Sequence, residues 1–115
     1  MSSPIYPIKV TLCAAGPSGA SVAGGASAFT DNSGTVTSGG TAQTIASANA
    51  DRTYLLIQNH SDIDMWINVG VTAVADQPSI KLYANGGSYE PLQVPSALIS
   101  LIGATTGKSF TCKEA

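Results

Sequence analysis

The chain has little charge. Of its 115 residues only 10% are Asp, Glu, Lys or Arg, against about 25% in a typical globular domain. The basic residues Lys9, Arg52, Lys81, Lys108 and Lys113 are scattered, and the net charge is −2. Without a basic patch there is no footprint for a phosphate backbone, so no nucleic-acid partner is expected. No apolar run approaches the roughly 20 residues needed to cross a bilayer, so no membrane partner is expected either. The opening Met-Ser-Ser-Pro-Ile-Tyr-Pro has neither a basic start nor a long apolar middle, and is not read as an export signal. Histidine occurs once, as His60, and cysteine twice, as Cys13 and Cys112, near opposite ends of the chain. That inventory excludes a histidine-rich centre and a zinc knuckle within one chain. With no export signal the compartment is read as reducing, and the two thiols as free and mostly buried. A surface so short of charge suits a protein that works packed against other chains.

What the chain does have is alternation. Ile8, Val10 and Leu12 share one face and Lys9 and Thr11 the other, a strand by period and by β-branching. Pro4 and Pro7 confine its start to a sheet edge. Residues 14–40 then change character: all but six of the 27 are Gly, Ala, Ser or Thr. Such a stretch cannot bury enough side chain to offset its own ordering entropy. It reads as an arm that lies along a sheet edge or a neighbouring chain, with an ordered loop or a flexible linker as the alternatives.

From residue 41 onward short strands follow at regular spacing. They are expected at 41–45, 53–58, 65–69, 79–83, 88–92, 97–102 and 108–113, separated by turn signals such as Asn85-Gly86-Gly87. The central stretch, Arg52-Thr-Tyr-Leu-Leu-Ile-Gln-Asn-His-Ser-Asp-Ile-Asp-Met-Trp-Ile-Asn-Val-Gly70, reads as a β-hairpin with a polar turn at 59–64. Leu55, Ile57, Ile67 and Val69 are its core residues, and Ile80, Leu82, Phe110 and Cys112 are expected inward elsewhere. One helical turn is allowed at 73–76. The pattern predicts an all-β protein: an antiparallel β-sandwich, jelly-roll or Ig-like, over residues 41–115, carrying an extended N-terminal arm over 1–40.

Candidate chemistry is sparse. Gly103-Ala-Thr-Thr-Gly107-Lys108-Ser109 resembles a phosphate-binding loop but is one residue short, and a strand follows where that loop needs a helix. It reads as a hairpin turn. His60, Asp62 and Asp64 cluster in the central turn, yet calcium wants six to eight oxygens, so a structural turn is favoured over a metal loop. A serine nucleophile would have only His60 as base, and no Gly-x-Ser-x-Gly is present. Asp76 and Glu90 are the remaining carboxylates of the globular part, with nothing to bring them together. No residue is assigned a catalytic, cofactor-binding or metal-ligating role, and the chain is not read as an enzyme. Trp66 faces away from Met65, Ile67 and Val69. It either packs on a second layer or anchors an interface, where tryptophan is enriched; Tyr54, Tyr83 and Tyr89 share that ambiguity.

The run Arg52-x-Tyr-Leu-Leu-Ile-Gln-Asn-x-Ser-Asp-x-Asp-Met-Trp-Ile-Asn-Val-Gly70 resembles a signature of small virion proteins of tailed bacteriophages. Gly86-Gly87-Ser88, and residues 97–102 followed by Gly-Ala-Thr-Thr-Gly-Lys, add to the likeness, which covers residues 40–115. Members resemble head-decoration, cement or head-fibre-base proteins. The resemblance implies a structural role on the capsid surface. Its implied partners are the major capsid protein and further copies of the chain, in trimers, and it implies no catalytic residue. Two other readings compete. One is a tail, fibre or adhesin component that recognises a host glycan or receptor through Trp66, Tyr83 and Tyr89. The other is a cupin-type metal sandwich, which would need histidines this sequence lacks. The contacts of interest are expected in the arm at 14–40.

Overall fold

The computed structural model describes residues 28–115. The strand expected at 8–12, Cys13 and the first half of the small-residue arm lie outside them. Nine antiparallel strands form: β1 (Thr30–Asp31), β2 (Gly34–Thr35), β3 (Gln43–Ala46), β4 (Leu55–Asn59), β5 (Met65–Val69), β6 (Ile80–Leu82), β7 (Ser88–Tyr89), β8 (Ile99–Gly103) and β9 (Ser109–Glu114). No helix occurs among the described residues, so the turn at 73–76 is irregular loop. One sheet runs β1/β2-β9-β4-β7, with β1 and β2 as two pieces of one edge. The other runs β3-β8-β5-β6.

Alternation explains why these segments stack as two layers. Leu55 and Ile57 on β4 and Phe110 and Cys112 on β9 point inward from the first sheet; Met65 and Ile67 on β5, Ile99 and Leu101 on β8 and Leu82 on β6 point inward from the second. All are buried, seven of them completely out of solvent. Burying each such side chain is worth about 1.5–3 kcal/mol. Val69 is only half-buried at the rim of this cluster, and Ile80, expected inward, is 39% exposed because β6 is the sheet's edge and its inner flank is not closed.

The central stretch is not a hairpin. β4 pairs with β9 and β7, whereas β5 pairs with β8 and β6, so residues 60–64 arch from one sheet to the other. The loop at 104–108 does the same between β8 and β9. So do residues 36–42 between β2 and β3, and 83–87 between β6 and β7. Each strand of one sheet is thus joined by an arch to its counterpart in the other, and all four arches lie at one end. Only β5 and β6 are sequential neighbours within a sheet. This is jelly-roll rather than Ig-like connectivity.

The arches hold one another in a row. Val36 N–H donates to Lys108 O and Gly107 N–H to Val36 O, at 2.9 and 2.8 Å. His60 N–H donates to Ser109 O at 3.2 Å, and Asn85 N–H to Ser61 O at 2.8 Å. The key side chain is Asn59. It continues the inward alternation of Leu55 and Ile57 and is wholly buried. Its Nδ2 donates to Ile63 O and Leu82 O, at 2.7 and 3.0 Å, and its Oδ1 accepts from Ser61 N–H and Oγ. A buried amide with every contact filled fixes the path of two adjacent arches. At Gly87 an added Cβ would run into the backbone of Tyr83, so only glycine fits there.

The described end of the small-residue stretch belongs to this sandwich. Thr30 and Asp31 pair with Glu114 and Lys113, and Gly34 and Thr35 with Phe110 and Ser109. Asn32 N–H donates to Cys112 O, and Ser33 Oγ accepts Cys112 N–H at 3.0 Å.

Candidate interaction surface

The outer face of the β3-β8-β5-β6 sheet is divided in two. Residues 70–79 fold back over one half: Ala73 N–H donates to Ser100 Oγ at 2.9 Å and Val74 N–H to Ser79 Oγ at 2.8 Å, which buries Ala73 and Ser100. The other half stays open. There the register places Ile102, Trp66 and Lys81 side by side across three strands. Trp66 therefore sits outside the sandwich, half-buried among its neighbours, not in the second layer.

Lys81 is held tightly for a surface lysine. Its Nζ lies 5.5 Å from the ring centre of Trp66 and 4.7 Å from that of Tyr83. Asp64 Oδ2 is 3.4 Å away. Two rings and a carboxylate fix the cation before any partner arrives, which lowers the entropy lost on binding. Tyr83 is 65% exposed. The result is an aromatic, nearly neutral patch on a rigid sheet, of the composition found at the centre of protein interfaces.

The other sequence candidates are spread apart. Asp62 and Asp64 each take a separate lysine: Lys108 Nζ is 2.7 Å from Asp62 Oδ1, and Lys81 holds Asp64. The carboxyl of Asp62 is held low by its hydrogen bond with Lys108, and that of Asp64 by the N–H of Ala84. His60 is exposed, and among the described residues no three His, Cys, Asp or Glu side chains gather as a metal ion would require. Gly103 to Ser109 forms an arch between sheets, with its lysine turned to Asp62. Glu90 Oε2 accepts the Tyr54 hydroxyl at 2.6 Å, which raises the phenol's pKa, and Asp76 accepts from its own loop at Gln77 N–H. Tyr89 packs against the core, while Tyr54 lies on the opposite outer face with Phe29 stacked on it at 5.3 Å.

Comparison with protein families, characterised proteins and solved structures returned no match. The patch must be judged on its own chemistry.

One polar cluster was not foreseen. Arg52 is buried at the end away from the arches, its side chain without solvent exposure. Nε donates to Glu114 Oε1 at 2.8 Å, one terminal nitrogen to Pro95 O and Ala97 O, and the other to Ser47 O. Glu114 also accepts from Asn32 Nδ2 at 2.6 Å and Asn49 Nδ2 at 3.4 Å. Burial pushes the carboxyl of Glu114 up, but the bonds from Arg52, Asn32 and Asn49 outweigh it and hold it below the ordinary value. The cluster ties together two loops, the chain end and the edge strand. Its signal was in the sequence: Phe110, Cys112 and Glu114 follow one period, so Glu114 had to face in and needed a cation. The thiol of Cys112 is pushed up to about 11, first by burial and then by the charge of Glu114. It is a packing group and not a nucleophile.

Proposed function

We propose that this chain is a structural virion protein of a tailed bacteriophage, one that decorates or cements the capsid. Its partners are the major capsid protein and further copies of itself, and its place is the capsid surface. The observation that carries this reading is the open half-face bearing Trp66, Lys81, Tyr83 and Ile102, a preorganised protein-contact surface on a rigid sheet. Three features lend support. The residue pattern over 52–70 resembles small phage virion proteins. The jelly roll is an architecture that capsid domains use, although fold alone does not decide function. The ionisable groups of the arches and of the buried cluster are engaged with one another.

Mechanically, a decoration protein adds buried area across capsomer boundaries. Tyr83→Ala removes an exposed ring without touching the core, so the fold should keep its stability to within about 0.5 kcal/mol. The same change should weaken binding to bare capsids at least tenfold. Particles lacking the protein should lose resistance to heat and osmotic shock, regain it with the wild-type chain, and not with Tyr83→Ala. Equal resistance with and without the protein refutes the cement role.

The two aromatic rings also favour a second reading, in which a tail or fibre component stacks them on a host glycan. Retention on a glycan array, lost in Tyr83→Ala, would select it.

A further inference from the structure

The two long sides of the sandwich are finished differently. On the β2/β3 side Gln43 bridges the sheets: its Nε2 donates to Thr35 O at 3.1 Å and its Oε1 accepts Thr37 N–H at 2.8 Å. A bulge between Thr44 and Ala46 also breaks that edge. Both are devices that keep an edge from pairing further. On the β6/β7 side comparable bridges, Asn59 to Leu82 O and Gln58 to Gly86 O, occur near the arch. Below them β6 has only β5 as a neighbour. There Ile80 is 39% exposed, Val74 beside it 43%, and Leu92, beyond the end of β7, fully exposed.

We propose that residues 8–12 of the same molecule close this side, adding as an antiparallel strand to β6. Twenty-seven residues precede Ala28, which lies beside β1 on the far side of the sandwich. Within them Ile8, Val10 and Leu12 form an alternating apolar set. The 15 small-residue positions from 14 to 28 have a root-mean-square reach of about 21 Å as a flexible chain. The span across three strand spacings and one sheet gap is about 17 Å. A linker whose reach matches the span gives a millimolar effective concentration, which favours the same molecule over a neighbour. Charge selects the register. Thr11 opposite Lys81 puts Val10 against Leu82, Leu12 against Ile80 and Lys9 against the ring of Tyr83. A parallel strand with Ile8 against Ile80 would instead set Lys9 opposite Lys81, like charges across a ladder. This inference goes beyond the proposed function and does not rest on it.

The test uses the full chain with Thr11→Cys and Lys81→Cys in a Cys13→Ser background; Cys112 is buried and stays. Opposed residues of an antiparallel pair lie within disulfide range. Mild oxidation should give an intramolecular 11–81 link whose yield is unchanged on tenfold dilution. Val10→Pro, which cannot enter a ladder, should cut that yield at least tenfold, and Thr11→Cys paired with Thr44→Cys should give none. A link that forms only between molecules overturns the proposal, as does a yield no higher than the Thr44 control or insensitive to Val10→Pro.

Discussion

Arg52 Nε meets Glu114 Oε1 at 2.8 Å inside the sandwich, and this single pair joins the start of one central strand to the end of its neighbour. Because Arg52 also holds three loop carbonyls, its loss reaches further than one ion pair. Breaking a buried pair by removing one partner leaves the other charge uncompensated, at a cost of about 3–5 kcal/mol. Arg52→Ala is therefore expected to lower the unfolding free energy by that amount in urea titrations, and Arg52→Lys to recover only part of it, since a lysine cannot span the same four acceptors.

Acid should attack the same place. The folded-state pKa of Glu114 lies below its ordinary value of 4.5. A depressed carboxylate contributes stability that is present above the unfolded pKa and is lost as pH falls through the folded one. The urea midpoint should hold from pH 7 to about 5.5 and then drop below about 4.5. The exposed Asp31, Asp62 and Asp64 shift in the same direction but are solvent-screened. In Glu114→Gln, already weaker at pH 7, the drop should be shallower, so that the gap from wild type narrows as acid is added.

Cys112 offers a reporter of the closed fold. Its raised pKa leaves almost no thiolate at pH 8. Maleimide labelling at residue 112 should be negligible in the native protein at that pH and complete in denaturant, as read by peptide mass spectrometry. Rapid native labelling would mean that the edge strand over Cys112 opens freely.

The arches predict a different lesion. Asn59→Ala strands Ile63 O, Leu82 O and Ser61 N–H in the interior. Each unsatisfied group costs about 1–3 kcal/mol, so a loss near 3 kcal/mol is expected in thermal or urea unfolding. His60→Ala, one residue on and exposed, should change stability by less than about 0.5 kcal/mol. The contrast separates the amide that shapes the arch from the side chains that merely line it.

Much of this fold was legible in the alternation. Leu55, Ile57, Ile67, Phe110 and Cys112 all point inward where period two puts them, and a sandwich followed. What alternation cannot give is the partner strand. A short polar turn between two apolar strands serves a hairpin and an arch alike, and residues 52–70 were read as the former. The distinguishing mark was Asn59, an amide on the inward period, which a hairpin end would leave in water. Trp66 was ambiguous for a related reason: both faces of β5 carry large side chains, and only the loop at 70–79 decides which part of the outer face is covered. The buried cluster went unseen because its partners, Arg52 and Glu114, stand 62 positions apart.

The central claim is that this chain lives on a capsid, and its location in an intact particle tests that most directly. Phage particles carrying the chain with a small electron-dense tag should show the label over the head shell, in many copies that follow the capsid lattice. A label confined to the tail, or particles that carry none of the chain, would contradict the account.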